Sequence, residues 1–479
     1  MAFNSSSPYP EGVISFLDTD LYKLTMQCAV FKYYRDVPVT YSFTNRTPEK
    51  KLSRAAFQWL TEQVHKLGNI SLSAEELTYL EAHCPYLSGP YLAFLKEFRL
   101  NPREQVTITF HPVAQHAADT HDNDNTETPD DLGDIDIAIR GPWVDTILYE
   151  IPILALTSEA YFRFMDTEWT YENQQQLAYD KGMRFLEAGC VLSEFGTRRR
   201  RDYHTQALVF RGLLQASKAA AARGYPGGLA GTSNVHLAMR FNLPPVGTVA
   251  HEWFMGIAAL TGQYAQASEE ALCRWVGCFG EGVLGIALTD TFGTPEFLRN
   301  AFARPVRRLH PPGGRRRVHD RHRRRTHADG AGAGSSSSDD NNNNHTKNTM
   351  RAFYDEQGIT DKKVIVFSDS LNLERCLEYK RIAEAAGFQP TFGVGTYLSN
   401  DFVNRVTGKK SVPLNIVIKL SSANGRPAIK ISDNIGKNTG DHATVERVKR
   451  ELGYVEKDWV GGDETHRWGT EGDKPAQAP

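Results

Sequence analysis

The sequence predicts an α/β protein organised around a parallel sheet, and three observations carry that prediction. From about Val191 to Gly395, short apolar runs alternate with helical stretches. Repeated β-α units of this kind imply parallel strands, and this many favour a closed or partly closed barrel. The N-terminal region mixes helical and strand-like patterns, while the end of the chain changes to two alternating runs around Asn424-Gly425, the signature of a β-hairpin.

Taken in order, Asp20 to Phe31 places Leu21, Leu24, Cys28 and Phe31 at helical spacing behind an Asp cap, with Tyr22 near the start. Val39 to Phe43 alternates like a strand, and Ser53 to Leu67 reads as a helix. Two strand-like runs, Thr107 to Phe110 and Ile135 to Arg140, flank Ala114 to Gly133, which is rich in Asp, Asn, Thr and His and reads as a solvated loop. Trp143 to Phe164 is a largely apolar core segment interrupted at Pro152, with a helical stretch expected on either side. Within the β-α series the strand-like runs are Val191 to Glu194, Gly228 to Gly231, Val246 to Thr248, Gly285 to Thr289, Lys363 to Phe367 and Thr391 to Gly393. Its helical stretches include Tyr203 to Ala222, Val235 to Phe241 and His251 to Ala267. The closing hairpin, Asn415 to Lys419 and Ala428 to Ile431, is expected to pair with the N-terminal strands, and Lys437 to Pro479 is polar and mobile at its end.

A chain of 479 residues exceeds one ordinary core, so two interlocked domains or one large α/β unit with additions are expected. With 40% apolar, 10% aromatic and 23% charged residues, the composition is that of a soluble globular protein. The six cysteines are scattered, with no Cys-x-x-Cys pair and no zinc-finger spacing, and are expected to be reduced. Met1 to Gly12 has no signal pattern and no 18-residue apolar run occurs, which points to a cytoplasmic or nuclear address. Formal net charge is −2, but ten of the 26 residues from Arg304 to Asp329 are Arg. Without that stretch the balance is 45 basic against 55 acidic residues, which argues against a nucleic-acid-binding surface elsewhere.

Polar residues cluster just after successive strand-like runs: Glu194 to Arg198, Gly231 to Asn234, Gly247 to Glu252, Thr289 to Thr291, Ser368 to Asn372 and Gly393 to Thr396. In a parallel barrel those ends share one face, which is the layout of an enzyme pocket. Gly393-Val394-Gly395-Thr396 could let backbone N–H groups and a hydroxyl approach an anion, although a lone Gly-x-Gly is also a plain turn. Asp369 sits where a strand ends, either as a helix cap with Ser368 or Ser370 beside it or as a binding carboxylate. Phe195 and Tyr22 are equally readable as packing residues, and Arg198 to Arg201 as a solvated charge run. His204 and His236 read as structural.

Six ordered stretches resemble the nicotinate phosphoribosyltransferase family: Thr19 to Leu24, Glu194 to Arg199, Gly231 to Asn234, Gly247 to Trp253, Ala287 to Thr294 and Phe392 to Thr396. The resemblance runs from about residue 13 to 303 and again from 350 to about 440. It implies an irregular TIM-like α/β barrel carrying the site, with an N-terminal α/β sandwich domain that C-terminal strands rejoin, so that the expected domains are 1–140, 141–410 and 411–479. It implies a homodimer with sites between subunits, in which Tyr22 reaches a ring bound mainly by the other subunit.

The implied reaction is ATP-coupled formation of nicotinate mononucleotide from nicotinate and phosphoribosyl pyrophosphate, with Mg²⁺ on the pyrophosphate. By the same resemblance, Phe195 and Tyr22 take the ring, Arg198 its carboxylate, and Asp369 the ribose hydroxyls. Gly393, Gly395 and Thr396 take the 5′-phosphate, and Asp20, Ser233 and Thr248 also contact substrate. His251 is the residue phosphorylated by ATP, with Glu252 or Asp290 fixing its tautomer. No Walker-type loop occurs, as suits a family that binds ATP without one. A quinolinate or nicotinamide phosphoribosyltransferase is the nearest rival in chemistry. A catalytically dead relative with a binding or regulatory role, and a nucleic-acid binder using the Arg304 to Arg325 tract, are rivals of other classes.

The pattern fails between 304 and 349. There the family continues with a strand and an Arg-Gln-Asp-Ser-Gly-Asp-Pro-like segment that serves nicotinate and the metal region. This chain instead runs through an Arg/His tract into Gly330 to Gly334, Ser335 to Ser338 and Asn341 to Asn344, a composition that cannot bury a strand. Either the protein lacks a catalytic strand or the interval is a gene-model error such as a wrong frame or a retained intron, the reading favoured because motif-like sequence resumes at Phe353 to Gly358, and the chain as it stands is expected to be inactive or poorly folded.

Overall fold

A computed structural model describes residues 9–113, 131–298, 331–332, 351–356, 358, 362–431 and 438–453. Most of the expected loop at 114–133, nearly all of 304–349 and everything after Gly453 lie outside these residues.

Its strands are β1 (Pro38–Asn45), β2 (Leu52–Ser53), β3 (Val106–Pro112), β4 (Leu132–Pro142), β5 (Val191–Glu194), β6 (Gly228–Thr232), β7 (Ala287–Leu288), β8 (Ala331–Gly332), β9 (Val364–Phe367), β10 (Gln389–Val394), β11 (Phe402–Val403), β12 (Lys410–Ser411), β13 (Ile416–Ala423) and β14 (Arg426–Pro427). An antiparallel sheet takes the order β14-β13-β1-β4-β2, with β3 also on β4. It is closed by the far end of the chain: β13 runs against β1, with Tyr41 opposite Leu420 and Phe43 opposite Ile418, and all four side chains are buried. Asn424 and Gly425 are both left-handed, at φ 50° and 74°, as a two-residue hairpin turn requires. The expected pairing of the closing hairpin with an N-terminal strand is therefore found.

A second sheet is parallel, in the order β6-β5-β10-β9, and the helices Gln174–Glu187, Tyr203–Ala222 and Leu373–Ala385 pack around it. Two of the predicted helices, Tyr203–Ala222 and Val235–Phe241, match end to end. One continuous apolar core runs through both sheets, with Trp143 stacked on Tyr34 at 5.8 Å and 6.0 Å from Trp253.

Three expectations need correction. Trp143 to Phe164 is not broken at Pro152, because the helix Glu150–Phe164 takes that proline in its first turn, where no intrahelical N–H is needed. Val246 to Thr248 is not a strand: Val246 donates one bond to Thr232 O at 2.7 Å, Pro244 and Pro245 have no N–H to give, and Gly247 at φ 149° turns the backbone away. The helix expected from His251 to Ala267 is two, His251–Thr261 and Tyr264–Phe279, divided at left-handed Gly262. Among the described residues β7 pairs with β8 and not with the four-stranded sheet, so the described hydrogen bonds leave the expected barrel open. The partner strand β8 lies inside the interval that departs from the pattern.

Candidate functional site

The end of β5 builds one half of the site. Glu194 is fully buried; its Oε1 accepts from Gly196 N at 2.7 Å and from Gln206 Nε2 at 3.0 Å, and its Oε2 accepts from Thr232 Oγ1 at 3.0 Å. Burial pushes its pKa up to about 7 against the pull of those donors. The turn so fixed carries Phe195 and Arg198. The Phe195 ring lies over Gly393 of β10, where an added Cβ would come within 2.2 Å of two ring carbons. The glycine there makes room for an aromatic ring, which is a different reason from the anion approach expected of it. Gly395 lies beside Phe195 O, and Thr396 opens the four-residue helix Thr396–Ser399.

Arg198 keeps about a third of its side chain exposed (36%) and lies 3.7 Å from Glu150. Tyr22 first, then Glu150, Asp20 and Asp369 hold its pKa above the ordinary arginine value, against burial. Asp369 itself is exposed at φ 69°, followed by Ser370 at φ 47°. The helix-cap role expected of this trio belongs to Asn372, which accepts from Arg375 N at 3.0 Å, so Asp369 is not spent on capping. Within the chain Tyr22 is the strongest charge partner of Arg198.

Asp20 occupies the first cap position of the helix Leu21–Tyr33 but makes no cap bond; it accepts from Ser233 Oγ at 2.8 Å, and both are buried. Burial raises the Asp20 pKa, with Arg198 opposing. The arginines after Arg198 are not a solvated run. Arg199 donates to Asn415 Oδ1, Arg200 makes a bidentate pair with Asp18 at 2.8 and 2.7 Å, and Arg201 lies 3.9 Å from the centroids of both Phe162 and Phe402. His236 bonds Tyr203 and His204 stacks on Tyr9, so both histidines are structural, as expected.

His251 builds the other half. It opens the helix His251–Thr261 with Nδ1 3.0 Å from Thr291 Oγ1 and Nε2 2.8 Å from Lys430 Nζ. Asp290 lies 3.7 Å from Nε2 and binds Lys430 at 3.1 Å. With the Lys430 ammonium as donor, Nε2 carries the lone pair and Nδ1 the proton, so Thr291 sets the tautomer. Glu252, one of the two residues expected to do so, points inward to Lys23 at 2.5 Å, Tyr41 at 2.6 Å and Trp143 at 2.9 Å. Thr248 contributes a backbone carbonyl that accepts from Thr25 at 2.5 Å. Lys430 and Lys419 were not anticipated. Burial lowers the Lys419 pKa to about 8, with Arg198, Lys430 and Arg46 acting in the same direction and Glu150 against. A lone lysine in each arm of an otherwise apolar hairpin was the available signal. A cavity of about 370 Å³ behind Leu21 and Gly247, lined also by His83, Tyr86 and Pro244, includes none of the expected side chains apart from that neighbouring glycine.

Residues 17–158 match the nicotinate phosphoribosyltransferase N-terminal domain, and residues 190–456 match the nicotinate phosphoribosyltransferase family. The chain belongs to the nicotinate phosphoribosyltransferase family. A probable nicotinate phosphoribosyltransferase of Schizosaccharomyces pombe is 42% identical over 443 residues, spanning 92% of this chain and 98% of the relative. The nicotinate phosphoribosyltransferase of Saccharomyces cerevisiae is 41% identical over 95% of this chain and 98% of its own. A crystal structure from Saccharomyces cerevisiae superposes with a TM-score of 0.81 at 39% identity, covering 94% of this chain and all of that one; one from Porphyromonas gingivalis gives 0.74 at 29%, covering 92% and all. The two matched regions of this nicotinate phosphoribosyltransferase family member divide the site between them, with Tyr22 and Glu150 in the first and Arg198, His251 and Asp369 in the second. Among the described residues no helix is long and apolar enough to cross a membrane.

Proposed function

We propose that this chain couples ATP hydrolysis to the transfer of a phosphoribosyl group onto nicotinate, forming nicotinate mononucleotide and pyrophosphate. The observation that carries this is a partly exposed guanidinium, Arg198, whose strongest charge partner is Tyr22 and which shares its turn with Phe195, together with a histidine, His251, whose Nε2 faces an ammonium. A planar ring bearing a carboxylate fits the first group, since the guanidinium meets the carboxylate and the aromatic faces cover the ring. A phosphoryl donor fits the second.

In the transfer, the ring nitrogen attacks C1 of the ribose as the bond from C1 to the pyrophosphate oxygen breaks, and the electron pair leaves with pyrophosphate. Positive charge builds on the sugar, so positioning and electrostatics dominate. In this reading Asp369 accepts from the ribose hydroxyls, and the backbone from Gly393 to Thr396 takes the 5′-phosphate. Lys419 and Lys430 supply positive charge for the pyrophosphate and the triphosphate. Mg²⁺ enters as the chelate of those oxygens and is part of the substrates. The His251 Nε2 lone pair takes the γ-phosphoryl group with release of ADP, Lys430 moving from the nitrogen to a phosphoryl oxygen, and water later cleaves the N–P bond to give phosphate. The enzyme works as a cytoplasmic homodimer in this proposal.

His251→Ala is expected to abolish nicotinate-dependent ATP hydrolysis while leaving slow ATP-independent transfer. Incubation with γ-labelled ATP should leave acid-labile, base-stable phosphate on the wild type only. Equal labelling of the variant would remove His251 from this role.

A further inference from the structure

Two motif residues stand next to the groups just assigned and have no part in them: Lys23 follows Tyr22, and Glu252 follows His251. Their side chains meet in the core. Lys23 is fully buried, with Nζ 2.5 Å from Glu252 Oε2 and 2.5 Å from Glu150 Oε2. Glu252 is held further by Tyr41 and Trp143, at 2.6 and 2.9 Å on Oε1. The other oxygen of Glu150 lies 3.7 Å from Arg198 Nη1. An unbroken row of alternating charge thus runs from the neighbour of His251 through Lys23 and Glu150 to the guanidinium assigned to the nicotinate carboxylate. Burial opposes the charge on Lys23, yet the two carboxylates hold its pKa above the ordinary lysine value. Glu150 is likewise opposed by burial and held below the ordinary range by Lys23, Lys419 and Arg198.

A buried ammonium shared by two carboxylates cannot strengthen its contact with one without weakening the other, because the low local dielectric leaves no solvent to compensate. Phosphorylation of His251, or the triphosphate itself, places negative charge beside Glu252. That charge alters how Lys23 divides between Glu252 and Glu150, and Glu150 then alters its hold on Arg198. We propose that Lys23 and Glu150 are positioning residues that couple the ATP side of the site to the nicotinate side through this buried ionic row. The proposal rests on the assignment of His251 and Arg198 made above. Coupling is reciprocal by linkage, so nicotinate must change ATP affinity by the same factor by which ATP changes nicotinate affinity.

The test is the ratio of nicotinate dissociation constants with and without saturating Mg-ATP, measured by calorimetry on the full-length chain. In the wild type the ratio is expected to depart from one by roughly 5-fold or more, the usual scale of coupling between sites. In Glu150→Gln, which keeps the shape and removes the charge, it should fall to within about twofold of one while nicotinate still binds. Glu252→Gln breaks the row at its other end, leaves Lys23 paired with Glu150, and should give the same collapse. Glu159→Gln, a buried carboxylate on the same helix as Glu150 but outside the row, should keep the wild-type ratio. A ratio near one in the wild type, or an undiminished ratio in both Glu150→Gln and Glu252→Gln, would overturn the coupling. Nicotinate binding that is absent from the wild type, or indifferent to Arg198→Ala, would sink the assignment of the ring site, and the coupling with it.

Discussion

At the scale of single residues, the ring site depends on the space left by Gly393 as much as on Phe195. A methyl group at that position would meet Phe195 ring carbons at 2.2 Å, and β10 is hydrogen-bonded on both sides, so the ring must move. Gly393→Ala is therefore expected to raise the Michaelis constant for nicotinate on the order of 10- to 100-fold, the cost of misplacing a positioning group by about an ångström. That for ATP should stay within about twofold; steady-state kinetics with each substrate varied would show equal effects if the glycine served only the phosphate side. Glu194 gives a second prediction. Its folded pKa of about 7 lies above the ordinary 4.5, so the folded state holds a proton that the unfolded state has lost between those values. Its contribution is most favourable below pH 4.5 and is lost as pH rises through 7, by about 3 kcal/mol. Denaturant unfolding of the wild type and Glu194→Gln at pH 5 and pH 7.5 should show a smaller loss in the variant. An equal loss in both would mean that Glu194 titrates normally.

At the scale of elements, the helices and strands that hold the site are tied by buried ion pairs as well as by apolar packing. Asp18 ends the segment before the helix Leu21–Tyr33, and it grips Arg200 on the far side of β5 while also accepting from Asn234 at 2.8 Å. Asp18→Asn leaves the Arg200 guanidinium buried without its counter-charge and is expected to cost roughly 3–5 kcal/mol in chemical unfolding. A loss below about 1 kcal/mol would show that the pair behaves like a surface bridge. Elements of this kind differed in how legible they were in the sequence. Tyr203–Ala222 has strong helical periodicity and a capping Asp202, and the hairpin at Asn424-Gly425 has its turn written in two residues. Val246 to Thr248 looked like another strand because it is short and apolar, but Pro244 and Pro245 remove the donors that a ladder needs. The site was legible where a side chain sits in a local motif, as with Arg198 and His251. It was not legible at Glu150, Lys419 and Lys430, whose roles come from contacts across distant parts of the chain.

At the scale of the whole molecule, N- and C-terminal segments form one sheet, and that sheet delivers Lys419 while its continuation delivers Lys430 to the candidate site, where Phe195, Arg198 and Asp369 follow parallel strands. Residues 304–349 carry the departure from the family pattern, and a family-like strand, an Arg-Gln-Asp-Ser-Gly-Asp-Pro segment and a connecting helix in their place would restore an arginine for nicotinate and an aspartate for the metal region. Such a replacement is expected to raise both soluble yield and turnover over the chain as it stands. The most direct test of the central claim is to incubate both forms with nicotinate, phosphoribosyl pyrophosphate, Mg²⁺ and ATP and to quantify nicotinate mononucleotide. Product is predicted from nicotinate in preference to nicotinamide, with the higher rate in the replaced form and severe loss in its Arg198→Ala variant. Absence of nicotinate mononucleotide from both forms, with each folded and soluble, would contradict the account.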